Sequence, residues 1–275
     1  MRNIYLFLFT LCCFPSVAWS GAWVPEVGSG YFKLGANYFE ATDRFGDNDG
    51  FEEFTSESIT LYGEVGLLDD LGLFVSAPFQ DLEQTFDGDT TSESGLGDVE
   101  VGLRYKWFAE PFVFSTAFTV KIPEFYDQDA QLPLGNGQYD YELRALIGRS
   151  LGDLGYFGIE GGYRLRADEP SDEYRYLVEY GFSAGPNLYF RTKLDGIATV
   201  GNASNSTSST LFSGNNLSIT PEFDLGKLEL TTGWNFNDSP TSSSNLGIEF
   251  TFTEDLYGDD ALDGRTFQLA LTYQL

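Results

Sequence analysis

From Gly28 to the last residue, apolar and polar positions alternate in segments of about ten residues, the pattern of strands with one apolar face. The clearest segment runs from Leu96 to Trp107. Leu96, Val99, Val101, Leu103, Tyr105 and Trp107 are apolar, and Glu100, Gly102, Arg104 and Lys106 take the other face. After a short turn, Phe112, Phe114, Phe118, Val120 and Ile122 alternate with Ser115, Ala117, Thr119 and Lys121. The pattern recurs in YDYELRALIGRSL, YFGIEGGYRLRAD, YRYLVEYGFSA and LYFRTKLDG, and earlier in YFKLGANYFEA, SITLYGEVGLL and LFVSAPF.

The connections alternate as well. Short turns (DDLG, AEP, GDLG, GPN) are followed by longer runs: DRFGDNDGFEE, EQTFDGDTTSES, PEFYDQDAQLPLGNGQ, ADEPSDE and GNASNSTSSTLFSGNN. The longer runs read as solvated loops. This order predicts an all-β fold, an antiparallel up-and-down transmembrane β-barrel with short periplasmic turns and long acidic extracellular loops. The C-terminal quarter offers SITPEFDL, KLELTTGWNF, NLGIEFTF and TFQLALTYQL. The candidates number about thirteen; the even count of single-chain bacterial barrels favours about twelve strands, with about fourteen as the alternative. The last candidate follows the acidic run EDLYGDDALDG and stays apolar at alternate positions to Leu275. A barrel must pair its last strand with its first, so that no edge stands open in lipid.

The first residues differ from the rest. Arg2 is followed by an apolar run from Ile4 to Phe14 and by the small-x-small triplet Ala18-Trp19-Ser20. That is the form of a secretory signal peptide over residues 1–20, too short to span a membrane. Cleavage after Ser20 leaves residues 21–275 as the barrel and removes Cys12 and Cys13, the only two cysteines. The chain of 275 residues carries 42 acidic and 15 basic residues, for a formal net charge of -27. Nucleic acid is excluded as a partner, because phosphate contacts need basic residues. The expected surroundings are outer-membrane lipid and lipopolysaccharide of a Gram-negative bacterium, and the oligomeric state stays open.

The segments GYFKLGANYFEA, SITLYGEVGLLDDLGLFVSAPF, SGLGDVEVGLRYKWF, GQYDYELRALIGRSLGDLGYFGIEGGYRLR and DEYRYLVEYGFSAGPNLYF carry a resemblance. Together they resemble the bacterial outer-membrane barrel family labelled "putative MetA-pathway of phenol degradation", some members of which are called XagA-like or "putative transporter". The resemblance extends over roughly Gly28 to Phe190. Beyond it, LYGDDALDG looks like the family's last extracellular hairpin loop, which would make NLGIEFTF the strand before it and place the odd candidate strand between Leu211 and Phe236. The resemblance implies an outer-membrane barrel and passage of a small, organic or aromatic, solute. It carries no binding residue over to this chain.

The absence of histidine removes Ser-His-Asp catalysis and the usual zinc sites. No enzyme activity, cofactor or metal is expected. The EF-hand pattern fails around the DNDG turn, because Phe45 stands at its first position. Aromatics near strand ends (Trp23, Trp107, Phe108, Tyr139, Tyr156, Tyr174, Tyr189, Trp234, Tyr273) fit interfacial girdles. The candidate site is the set of charges on the inward phase: Glu100, Arg104, Lys106, Glu142, Arg144, Glu160, Arg164, Arg166, Arg175, Glu179, Arg191, Lys193 and Asp195. Facing lipid would cost roughly 2–4 kcal/mol for each Arg or Lys at mid-bilayer, which forces them inward. Two readings of that set remain: a charged lumen that selects a solute, or ion pairs that fill and stiffen a narrow barrel. The functional readings are therefore a porin-like transporter for a small solute, a plugged structural or adhesion barrel acting through its acidic loops, and a secreted soluble all-β binding protein.

Overall fold

The computed structural model describes residues 21–46, 51–128, 130, 132–167, 170–203, 222–236 and 245–275. Residues 1–20, the expected signal peptide, lie outside the described residues. Thirteen strands form among those described: β1 (Gly30–Phe45), β2 (Phe51–Leu68), β3 (Leu71–Phe86), β4 (Asp89–Leu96), β5 (Val99–Phe108), β6 (Val113–Ile122), β7 (Asp140–Ser150), β8 (Tyr156–Arg166), β9 (Glu173–Ser183), β10 (Leu188–Thr199), β11 (Asp224–Asn235), β12 (Asn245–Asp259) and β13 (Ala261–Gln274). Each pairs antiparallel with its neighbour in sequence, except at β4 and β5.

The wall closes where the terminal pattern demands it. β1 pairs with β13 in a register that sets Leu34 opposite Leu271 and Tyr38 opposite Phe267. Leu275 exchanges both backbone hydrogen bonds with Gly30, at 2.9 and 3.2 Å, so the chain ends inside the ladder. β3 pairs with β4 along its upper half, from Phe79↔Leu96 to Phe86↔Asp89, and with β5 along its lower half, from Leu71↔Tyr105 to Ser76↔Glu100. The two are halves of one wall position, interrupted at Gly97-Asp98. The barrel therefore has twelve wall positions, and the thirteenth strand comes from that interruption. Between Leu211 and Phe236, the place of the odd candidate strand, the described residues hold one strand, β11, and residues 204–221 lie outside them.

Several runs expected to be loops are strands. All of EQTFDGDTTSES is the top of β3, the Asp87-Gly88 turn and β4, with φ of 49° and 81° at the two turn residues. Both residues have the left-handed conformation that lets a two-residue turn match the strand twist. EDLYGDDALDG is the end of β12 and the start of β13, turning at Asp260. DRFGDNDGFEE begins in β1 and ends in β2, and residues 47–50 lie outside the described ones. Above the bilayer both faces of a strand are wet, so polarity there does not mark a loop. As a result β1, β2, β3 and β12 have 15–18 residues, whereas β5 to β9 have 10–11.

The outward phase forms an apolar exterior. Leu61, Leu103, Phe118, Leu143, Ile159, Val178, Leu230, Phe250 and Leu269 are all exposed large hydrophobics. A closed barrel with this belt is an outer-membrane barrel, and strands of about 9–11 residues suffice to cross. The belt also argues against the secreted soluble reading. Three of the aromatics assigned to girdles point inward instead: Trp23 packs edge-on to Tyr156 (6.1 Å between ring centres), and the Tyr189 hydroxyl donates to Glu249. Leu143→Arg, mid-wall between Phe118 and Tyr163, is expected to lower stability by about 2–4 kcal/mol. Denaturant titration of the heat-modifiable band on a detergent gel measures it; the same change at an exposed loop residue should leave the midpoint unmoved.

Candidate functional site

The inward phase brings charges together in groups. Near the periplasmic end, Glu64 of β2 and Arg104 of β5 form a close ion pair beneath Phe74 of the intervening β3, and Tyr62 donates to Glu64 at 2.8 Å. Glu249 of β12, 1% exposed, receives Lys33 of β1 at 2.7 Å, the Tyr189 hydroxyl at 2.7 Å and Arg191 of β10 at 3.5 Å. Arg191 and Lys193 also lie 3.3–3.8 Å from Glu179 and Glu229. At mid-height Arg144 joins Glu142 and Glu160, while Arg164 of β8 reaches Glu142 at 2.8 Å and Glu100 of β5 at 2.9 Å. Toward the extracellular end Lys121 pairs with Asp140 and Asp98, and Arg166 and Arg175 meet Glu173.

Two candidates stand apart from these groups. Lys106 sits at the rim, 3.1 Å from Asp70 in the β2–β3 turn. Asp195 has Arg175 as its electrostatic neighbour. Lys33, Glu64, Lys121, Asp140, Glu173, Glu229 and Glu249 are interior charges that the sequence-based set omitted. The signal was there: Lys33 lies between Phe32 and Leu34, and Glu249 between Ile248 and Phe250, so each obeys the alternation that identified the others.

Both ends of the interior are filled. Residues 21–29 fold back into the periplasmic end. Ala22 is buried against Val113, Ala117 and Leu146, and its carbonyl accepts from Ser115 at 2.5 Å. The Trp23 carbonyl accepts from Arg104 at 2.9 Å. The Trp23 ring occupies the space that a side chain at Gly148 would need, so glycine is required there. Pro25 is fully buried, and Val27 bridges to Gly66.

At the other end the β6–β7 connection is not the solvated loop expected of PEFYDQDAQLPLGNGQ. Its Leu132 and Leu134 pack into a buried apolar cluster with Ala41, Phe51, Phe54 and Leu82. Apolar residues occupy inward positions there, because the tall β1–β4 wall rises above the bilayer and has this segment to pack against. Tyr126 ties the segment to Asp98 at 2.7 Å, and burial beside that carboxylate raises the phenol's pKa. Leu132→Asp would bury an unpaired charge. It is expected to free the segment and make it cleavable by protease added to intact cells, while Phe125→Asp, at an exposed position, should leave it protected.

A family model described as "Putative MetA-pathway of phenol degradation" matches residues 42–242. The chain belongs to this family. The match begins after most of β1 and ends before β12, so the family pattern covers most of the wall but not the closing strands. The fold is similar to that of the COG4313 outer membrane channel from Pseudomonas putida F1, at TM-score 0.71 and 15% identity over 94% of this chain and 100% of that one. It is also similar to NanC porin, at TM-score 0.54 and 10% identity over 89% of this chain and 100% of that one. Comparison with curated protein sequences finds no match.

Proposed function

We propose that this family member is an outer-membrane channel for a small, organic or aromatic, solute that carries no net charge. The observation that carries the reading is a closed barrel whose interior charges are mutually paired, with a packed apolar cluster at its extracellular end. Paired charges of both signs present little net field, so an ion gains little from them, while their polar atoms can still bond a hydroxyl. The thirteen sequence-predicted residues act in this proposal as the lining of the pathway. The family label and the fold shared with an outer membrane channel and a porin support the same reading.

A closed structural barrel is the second reading, favoured by the filling of both ends. Single-channel recording of folded protein separates the two. The channel reading expects discrete small steps with a reversal potential near zero in a salt gradient. Strong selectivity for one sign of ion would contradict it.

A further inference from the structure

Two features meet at one point inside the barrel. Residue 21 is the first after the expected cleavage site, and the fold holds it against Glu160 of β8 and Leu146 of β7, where a side chain would overlap the Glu160 carboxylate oxygen Oε1. The other carboxylate oxygen, Oε2, is already bonded to Arg144 at 2.8 Å. The Gly21 nitrogen lies one bond from its α-carbon, which places it within roughly 4–5 Å of Oε1.

We infer that removal of the signal peptide creates a buried ion pair inside the barrel: the α-ammonium of mature Gly21 with Glu160, which fastens the N-terminal segment as a plug. Water hydrolyses the Ser20–Gly21 peptide bond. The water oxygen joins the Ser20 carbonyl carbon, which departs with the leader as a carboxylate, and both water protons end on the Gly21 nitrogen, which becomes an ammonium. Before cleavage this position presents only a neutral amide to Glu160. The charged groups nearest the segment are Glu160, Arg144 and Glu142 on β7 and β8, with Arg104 and Glu64 on β5 and β2. Arg144 bonds the Glu160 oxygen Oε2 and is shared with Glu142, which Arg164 also bonds, so the Glu160 oxygen Oε1 is the one that faces Gly21. Glycine suits the position for its lack of a side chain, and Ala22 and Trp23 supply the packing that brings it there.

The inference predicts how the terminal amine reacts in folded protein purified from outer membranes. Intact mass should correspond to a chain beginning at Gly21; a chain beginning elsewhere overturns the inference. An α-amine-selective aldehyde, 2-pyridinecarboxaldehyde, should label the folded protein at least about tenfold more slowly than the boiled protein, about 1.4 kcal/mol of protection. Glu160→Gln keeps the shape of the side chain and removes its charge. In that variant, with its heat-dependent mobility shift intact, labelling should rise severalfold toward the boiled rate. Equal labelling of wild type and E160Q would show a merely packed terminus and overturn the pair. Should E160Q not fold, wild type decides through salt: molar sodium chloride should speed labelling of the folded protein, and an unchanged rate overturns the inference.

Discussion

A chain that begins at Gly28, refolded in detergent and inserted into a planar bilayer, is expected to pass severalfold more current than one that begins at Gly21. The deletion removes Ala22, Trp23 and Pro25 from the periplasmic end, where they fill the space between β2, β3 and β6–β8. The wall loses only the isolated Val27–Gly66 bridge, because β1 starts at Gly30 and its ladder with β2 and β13 is complete without the deleted residues. The freed Ser115 and Arg104 donors turn to water, which enters with the ions. Trp23→Ala should give an intermediate current, since the ring is the largest obstruction and its partner Tyr156 stays in place. Equal conductance from the two chains, both shown folded by their mobility shift, would mean that the constriction lies elsewhere.

Glu249→Gln is expected to be the most destabilising single interior change, by about 3–5 kcal/mol. The variant leaves Lys33 without its 2.7 Å partner in a half-buried position, and Arg191 loses one of its three carboxylates. Removing one member of a buried pair strands the other charge, and that desolvation cost exceeds the worth of the pair itself. Lys33→Met in the same chain should recover a large part of the loss, as residues in direct contact couple. The double-variant cycle, read from denaturant titration of the mobility shift, measures this. Additive losses would show that Lys33 has water or another acceptor.

The wall was legible because lipid leaves a chain few choices. Arg104, Arg164 and Arg191 announced their inward phase by alternating with Leu103, Leu165 and Phe190, and the closing pair of β1 and β13 followed from an apolar strand that runs to Leu275. Above the bilayer that constraint lapses. The polar strands at 83–94 and 254–264 read as loops because no solvent boundary marks their faces, and only the Asp87-Gly88 turn hinted at a hairpin. The two fillings of the interior were hidden for a different reason. Leu132 and Leu134 are two apolar residues in a polar run, and Ala22-Trp23 follow the expected signal peptide; neither has a period that reveals what it packs against. Pairing partners such as Glu64 with Arg104 are set by barrel curvature across a skipped strand, which alternation along one strand does not encode.

Passage of a small uncharged organic solute is the activity proposed for this barrel. Its most direct test is the swelling rate of liposomes holding the mature protein, after transfer into isotonic phenyl glucoside or a disaccharide of similar size. The bilayer itself is nearly closed to both. Faster swelling is expected in the aryl glucoside than in the disaccharide, with the difference reduced when Phe54→Ser and Leu82→Ser make the extracellular end of the interior polar. Swelling no faster than protein-free liposomes, for the full mature chain and for the chain that begins at Gly28 alike, would contradict it.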